Sequence, residues 1–352
     1  MKLFKYLLLL SIPVGLFVSC SDDDDNSGMK NDFIKKTTSP AIVGESIEFA
    51  YAMGATNGRL NTAEATASIA GGAGTGFGLF SYFTARGNLT VNDVRYIAGD
   101  DVPLKTVKEA TTNGAVSTAT MMEQVDANYI NPTVAFGTSQ TDLVAATIRY
   151  YYVVPEEARG KEFSVKFSSK STTGEIATYQ TPGYKVSKMD MKRSIQMTGD
   201  NVCYFSIADM RAYTKAEVES QNISAKIDFV YLYQAKLGAY DYGSAFVSPA
   251  TDPMYIAIAD IIPGNWTKNN TQMEKRVDVK DAQLKGSMPN VYIDDIDFET
   301  LDLSAAVNYI IGFSADHGAF METADGKYAA YIYVNSVSNG TMTVSIKRYP
   351  LK

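Results

Sequence analysis

Apolar and polar residues alternate with a period of two along most of this chain, the pattern of strands half-buried in a sheet. In GESIEFAYAMG, Ile47, Phe49, Tyr51 and Met53 share one face, and in KEFSVKFSS, Phe163, Val165 and Phe167 alternate with serine and lysine. LVAATIRYYYVV, Leu143 to Val154, is apolar on both faces, which predicts a central sandwich strand. Pro155 ends it, because proline has no N–H for the ladder. The second half repeats the pattern in Ile227, Phe229, Tyr231 and Tyr233, then in Tyr328, Ala330, Ile332 and Val334, then in Met342, Val344 and Ile346. Asp325-Gly326 and Asn339-Gly340 supply hairpin turns.

Helix signals are few. TKAEVES places Thr214 three residues before Glu217, a capping box that predicts a short helix, and DFETLDLSAA predicts another turn or two. Long amphipathic helices are absent, which argues against a parallel α/β sheet. The fold expected is all-β: two tandem β-sandwich domains, the first immunoglobulin-like, with short helices in the second. In TPGYKVSKMDMKRS, Pro182 and Gly183 break the strand pattern and a basic segment follows, which places the domains at 33–188 and 189–352.

The amino terminus reads as an address. Lys2 and Lys5 precede an apolar stretch from Tyr6 to Val18, too short for a membrane span of roughly 20 residues, so residues 1–19 read as a signal peptide. Phe17-Val18-Ser19-Cys20 resembles a bacterial lipobox, with Phe17 in place of the usual leucine, which implies acylation of Cys20 and outer-membrane lipid as its partner. Asp22, Asp23, Asp24 and Asp25 are like-charged and have no apolar neighbours, so residues 20–32 form a solvated tether. An acidic cluster directly after the lipidated cysteine resembles the export signal that carries Bacteroidetes lipoproteins to the cell surface.

Composition narrows the function. Removing residues 1–19 takes Lys2 and Lys5, so 32 basic residues become 30 against 39 acidic ones and the formal charge moves from -7 to -9. That balance does not favour nucleic acid. With Cys20 acylated, Cys203 has no disulfide partner, and it alternates with Phe205 and Ile207 as a small buried hydrophobe. His317 is the only histidine, read as a surface or turn residue, and no G-x-S-x-G elbow occurs. GGAGTGFG, Gly71 to Gly78, lacks a P-loop lysine and reads as a turn between strands. YIDDIDFETLD is rich in carboxylates but lacks the glycine and final glutamate of an EF-hand. It reads as an acidic turn entering a short helix, with calcium left open. No catalysis, cofactor or metal is expected.

Aromatic residues are the remaining lead. Tyr240 and Tyr242 lie beside glycines in LGAYDYGSAF, and Trp266 lies in the polar stretch PGNWTKNN. Flat rings beside Asn and Asp suit a sugar or peptide site, and Trp266 equally suits the edge of its own domain.

AATIRYYYVVPEEARGKEFSVKFSSKSTTGE, GYKVSKMDM, AYTKAEVES, AKIDFVYLY and DGKYAAYIYVNSV resemble segments of a Bacteroidetes lipoprotein family known only as a domain of unknown function. The resemblance covers most of the mature chain and assigns no catalytic residue. It implies a surface lipoprotein beside an outer-membrane importer of the starch-utilisation type. The function expected is therefore non-catalytic capture of a nutrient glycan or peptide beside a transporter complex, with an adhesin or fimbrial subunit as the alternative.

Overall fold

The computed structural model describes residues 28–84, 102–103, 107–110, 116–119, 122–126, 132–136, 143–258, 260–285 and 291–352. Cys20 and Asp22 to Asp25 lie outside the described residues. The first half carries β1 (Met29–Lys36), β2 (Ser46–Ala55), β3 (Leu60–Ala67), β4 (Gly76–Thr84), β5 (Val102–Pro103), β6 (Val107–Ala110) and β7 (Val116–Ala119). There follow β8 (Met122–Asp126), β9 (Thr133–Phe136), β10 (Leu143–Val153), β11 (Glu162–Phe163), β12 (Val165–Ser171), β13 (Ile176–Gln180) and β14 (Tyr184–Lys185). The second half carries β15 (Asp190–Thr198), β16 (Val202–Ser206), β17 (Arg211–Thr214), β18 (Phe229–Leu232), β19 (Lys236–Leu237) and β20 (Tyr240–Asp241). It ends with β21 (Ala245–Val247), β22 (Gln272–Arg276), β23 (Tyr309–Ile310), β24 (Gly318–Glu322), β25 (Tyr328–Ser338) and β26 (Thr341–Pro350).

Five-stranded antiparallel sheets pack in pairs. In the first half the sheet β1-β2-β10-β4-β5 faces β13-β12-β3-β9-β8, and in the second β15-β26-β25-β24-β22 faces β17-β16-β18-β21-β23. The described α-helices, α1 (Lys215–Ser220), α2 (Ala282–Lys285) and α3 (Asp295–Glu299), all lie in the second half. The chain is nearly all-β, two sandwiches in tandem, as the period-two pattern predicts.

The alternating residues form the cores. Ile47, Phe49, Tyr51 and Met53 are buried against Phe163, Val165 and Phe167, with Tyr51 stacked on Phe167 at 4.8 Å and Tyr152 on Phe163 at 4.2 Å. Each such ring contributes about 1.5–3 kcal/mol by leaving water. β10 lies between β2 and β4, the central place its sequence predicts, but only one of its faces is core: Ala146, Ile148, Tyr150 and Tyr152 are buried, while Ala145, Thr147, Tyr151 and Val153 are half-buried. In the second sandwich Ala330, Ile332 and Val334 of β25, with Met342, Val344 and Ile346 of β26, face the opposite sheet. Asn339 and Gly340 both have positive φ, 45° and 81°, the type I′ geometry that suits a two-residue hairpin.

The other face of that sheet is also covered. Ala329, Tyr331, Tyr333 and Tyr349 form a second apolar layer with Leu284, Ile293, Phe298 and Leu303, from the excursion that carries α2 and α3. Thus the second half is a sandwich with a third, partly helical layer. Thr214 and Glu217 form the capping box expected of α1. Helix α3 begins earlier than the DFETLDLSAA reading placed it, because Asp294 caps it and Asp297 closes a second capping box. Lys347 is fully buried on this face, donating to Asp281 Oδ2 at 2.6 Å and to the Ile293 carbonyl at 2.7 Å.

The halves interlock. Ile42, in the loop between β1 and β2, is fully buried in the third-layer cluster of the second half, and Gln283 Nε2 donates to the Pro40 carbonyl at 3.1 Å. Ala41 bridges Val186, Ser187 N–H donates to the Ala41 carbonyl at 2.8 Å, and the Ser187 hydroxyl donates to Asp295.

Candidate functional site

A cleft of about 540 Å³ opens along one side of the second sandwich, between β22, the edge of one sheet, and β23, the edge of the other. The segment leading into β23 meets β22 in an antiparallel bridge, where Met273 N–H donates to the Val307 carbonyl at 2.7 Å, and Asn308 next to it donates from Nδ2 to Asn270 Oδ1 at 2.8 Å. At the far end the Lys275 ammonium closes the gap, donating to the Ile311 and Gly312 carbonyls at 2.8 and 2.6 Å. Met273 and Ile310, both buried, form an apolar floor.

The main chain adds polar groups. In an antiparallel ladder successive residues turn their N–H and C=O to opposite sides. Met273 turns its N–H away from β24, so Lys275, two residues on, turns the same way. On the other edge Asn308 C=O accepts the Ser248 N–H on the β21 side, so Tyr309 faces outward, as do Val307 and Ile311, whose carbonyls already accept bonds there. No described residue takes up the Lys275 or Tyr309 main-chain groups on this side.

Side chains complete the rim. Tyr309 lines the cleft and stacks on Tyr255, outside the lining, with ring centroids 5.7 Å apart, and Val307, also in the lining, is 53% exposed. Asp302, on the rim, accepts the Ser304 N–H at 2.9 Å, which holds its carboxyl below the usual carboxylate range. Glu274 shares its charge with Arg276 at 2.8 Å. Burial lowers the pKa of Lys275, and its two carbonyl partners occupy two of its three donors.

The residues singled out from sequence part company. The hairpin β19–β20 carries Tyr240, 73% exposed, and leads to Tyr242, whose carbonyl accepts the Gly312 N–H at 3.0 Å. Tyr242 therefore lies beside the Lys275 end of the cleft, while Tyr240 stands in the exposed hairpin outside its lining. The loop that carries Tyr255 reaches the same hairpin, with Ala257 N–H donating to the Lys236 carbonyl at 3.2 Å. Trp266 turns inward: it is 8% exposed, lies in the core and meets Tyr204 of β16 edge-on at 5.2 Å. β16 is three strand spacings from β23, roughly 14 Å, so Trp266 does not join the tyrosines. Sequence reading passed over Tyr255 and Tyr309. Tyr309 has the look of an ordinary strand residue, and the only signal at Tyr255 is its place just after the turn residues Asp252-Pro253.

The other candidates have structural occupations. His317 sits half-buried in a turn with Ser314 Oγ 3.0 Å from its Nε2, and burial, with Lys275 nearby, lowers its pKa. Gly72 and Thr75 close a turn between β3 and β4 by a 3.0 Å main-chain bond. Cys203 is buried, and burial pushes its thiol up to about 12. Asp294, Asp295 and Asp297 serve the helix start and the junction. Among the described residues no three metal-ligating side chains cluster. A smaller cleft of about 280 Å³ has Asp228 in its lining, a carboxylate that accepts the Ile207 N–H at 2.7 Å and that burial pushes up to about 7.

Two family models cover the chain from residue 26 to residue 351. A domain of unknown function, DUF4466, matches residues 26–131 and 128–186, and a second, DUF8576, matches residues 187–351. A crystal structure of a DUF4466 family protein from Parabacteroides merdae is 35% identical, with a TM-score of 0.73, over 92% of this chain and 99% of that one. This chain belongs to the DUF4466 family. Its relative comes from the Bacteroidetes. More distant is BcpA, the major pilin subunit of Bacillus cereus, at 8% identity and a TM-score of 0.28 over 91% of this chain and 66% of that chain. ACE19, the collagen binding subdomain of Enterococcus faecalis surface protein ACE, is 7% identical with a TM-score of 0.20 over 45% of this chain and 94% of that chain. A comparison with curated proteins finds no match.

Proposed function

We propose that this DUF4466 protein is a non-catalytic lipoprotein of the outer-membrane surface, anchored through Cys20 and exported by Asp22 to Asp25, that binds an oligosaccharide or peptide for a neighbouring importer. The observation that carries the binding role is the cleft between β22 and β23. It combines an apolar floor, outward main-chain groups and the half-buried Tyr309, whose ring stacks on the exposed Tyr255, the mixture of broad contact area and few orienting polar groups on which ligand sites rest. Acylated Cys20 accounts for the amino terminus, since several acyl chains hold a protein far longer than one, but the tether expected over residues 20–32 ends earlier, because Met29 to Asp32 pair with β2 in β1 and Met29 is buried.

The test has two arms. Shaving intact cells with protease releases the protein, Cys20→Ala abolishes membrane attachment, and alanine at Asp22 to Asp25 turns the protein inward while leaving lipidation intact. In the second arm a soluble chain beginning after Cys20 is titrated with linear oligosaccharides and with short peptides. Binding that Tyr309→Ala weakens supports the reading; absence of binding to either class overturns it.

An adhesin or fimbrial-type subunit is the second reading, favoured by β1, which sits at a sheet edge with β2 as its ladder partner. Strand exchange would require loss of that leading strand, so sequencing the mature amino terminus separates the two.

A further inference from the structure

We infer that a second pocket, at the end of the second sandwich around Asp228, binds a primary ammonium group on a short apolar stem. The pocket, of about 280 Å³, shares no lining residue with the β22–β23 cleft and stands apart from the reading of that cleft. One wall, with Asp228, belongs to the segments that leave β16 and enter β18; the other, with Asp325, is the turn that joins β24 to β25. Main chain sets the carboxylate in place. Asp228 is 5% exposed, its N–H donates to the Phe205 carbonyl at 2.8 Å, and its Oδ2 accepts the Ile207 N–H at 2.7 Å. A neutral amide oxygen would hold Ile207 as well, so that bond does not require the charge.

The cations around the pocket are committed elsewhere. Lys226 Nζ lies 3.3 Å from both carboxylate oxygens of Asp209, and Lys327 Nζ lies 2.7 Å from Asp325 Oδ2. Arg348 donates to the Ala208 carbonyl and to Asp190, and Lys352 to the Asp325 carbonyl at 3.3 Å. Asp325 and Asp209 face Asp228 with like charge, and Lys327 with the Thr323 hydroxyl keeps Asp325 ionised, its pKa down to about 2. Among the described residues, then, no cation pairs with Asp228. A buried carboxylate in that position is costly, and an entering cation offsets the cost. Asn269 turns its amide hydrogens to the Ala225 and Ile227 carbonyls, at 2.9 and 2.8 Å, which leaves Oδ1 an acceptor with no described partner. An ammonium brings three donors and no acceptor, so a carboxylate and an amide oxygen answer two of them. Ala208, Ala225 and the Tyr328 ring line the space for a hydrocarbon stem. Calcium fits less well: it takes roughly six to eight oxygens, and no three metal-ligating side chains cluster among the described residues.

The probe is n-butylamine, titrated into the soluble chain beginning after Cys20 and followed by amide NMR, with n-butanol, calcium and Nα-acetyl-lysine methylamide in parallel. Butylammonium is expected to shift the Ile207 amide, which bonds to Asp228, and the side-chain amide of Asn269. Binding requires ionised Asp228, whose carboxyl burial pushes up to about 7, while the amine stays charged as a lysine does. Affinity is therefore expected to fall about tenfold between roughly pH 8 and pH 6. Asp228→Asn keeps an acceptor for Ile207 and removes the charge, and is expected to weaken butylammonium binding at least about tenfold and to abolish its pH dependence. Should Asp228→Asn fail to fold, the pH titration of the unaltered chain decides. Tighter binding of the lysine derivative than of butylamine supports a lysine side chain as the source of the ammonium, and the reverse supports a free amine. Butanol binding as tightly as butylamine, calcium binding at Asp228, or an Ile207 amide that no amine shifts overturns the inference and leaves the β22–β23 cleft untouched.

Discussion

Arg193 holds Glu45 with both terminal guanidinium nitrogens, at 2.8 and 3.0 Å, and its Nε donates to the Gln283 carbonyl, so one side chain ties a loop of the first sandwich to the third layer of the second. The ion pair is about one third exposed on both sides, while Ile42, three residues before Glu45, is fully buried in the second half. Burial of the isoleucine therefore outweighs the visible ion pair in fastening the junction.

From this contrast, Glu45→Ala is expected to cost less than about 1 kcal/mol, as exposed pairs do. Ile42→Ala is expected to cost about 2–5 kcal/mol and to split the unfolding of the two sandwiches into separate transitions. Calorimetry of both variants checks this. Equal losses would show that charge rather than packing fastens the junction.

Trp266 and Tyr309 make opposite predictions. Trp266→Ala removes a ring packed against Tyr204 and is expected to cost about 3–5 kcal/mol of stability with ligand affinity unchanged. Tyr309→Ala removes a half-buried ring stacked on Tyr255 and is expected to lower melting less than Trp266→Ala does while weakening ligand binding about tenfold. Melting curves and titrations on the same two variants decide; reversal of the pattern would move the site to Trp266.

Asp228 gives a pH dependence. Burial pushes its carboxyl from 3.8 up to about 7 in the folded chain, whereas the unfolded chain titrates near the ordinary value. Between roughly pH 4 and 7 the folded state thus holds more protons, so this contribution is full at the acid end and declines as pH rises through about 7. Asp228→Asn is expected to remove that slope from urea midpoints measured across the range. Identical slopes in both proteins would assign the effect to other groups.

The Cys203 thiol, buried and pushed up to about 12, is expected to resist a thiol reagent at neutral pH until the chain is unfolded. Labelling with and without denaturant measures it, and rapid native labelling would show that the second core opens locally.

Period-two alternation by itself determined the sheet content, because a strand between core and solvent must alternate. The residues Ile47 to Met53, Phe163 to Phe167 and Met342 to Ile346 all bury the faces it named. Local chemistry likewise foretold the Thr214 helix start and the Asn339-Gly340 turn, since capping and positive φ act over a few residues. What pattern alone does not carry is which second face is covered. Tyr331 and Tyr333 on β25 are as buried as Ile332 between them, because a distant excursion and Ile42 lie over them. The cleft was hidden for the same reason: Lys275 and Tyr309 are ordinary strand residues in sequence. They line one cleft only because two sheets bring their edge strands β22 and β23 to the same side of the sandwich. Trp266, in a polar stretch, is buried by a neighbour sixty-two positions away, Tyr204, and a contact over that separation exists only once the chain has folded.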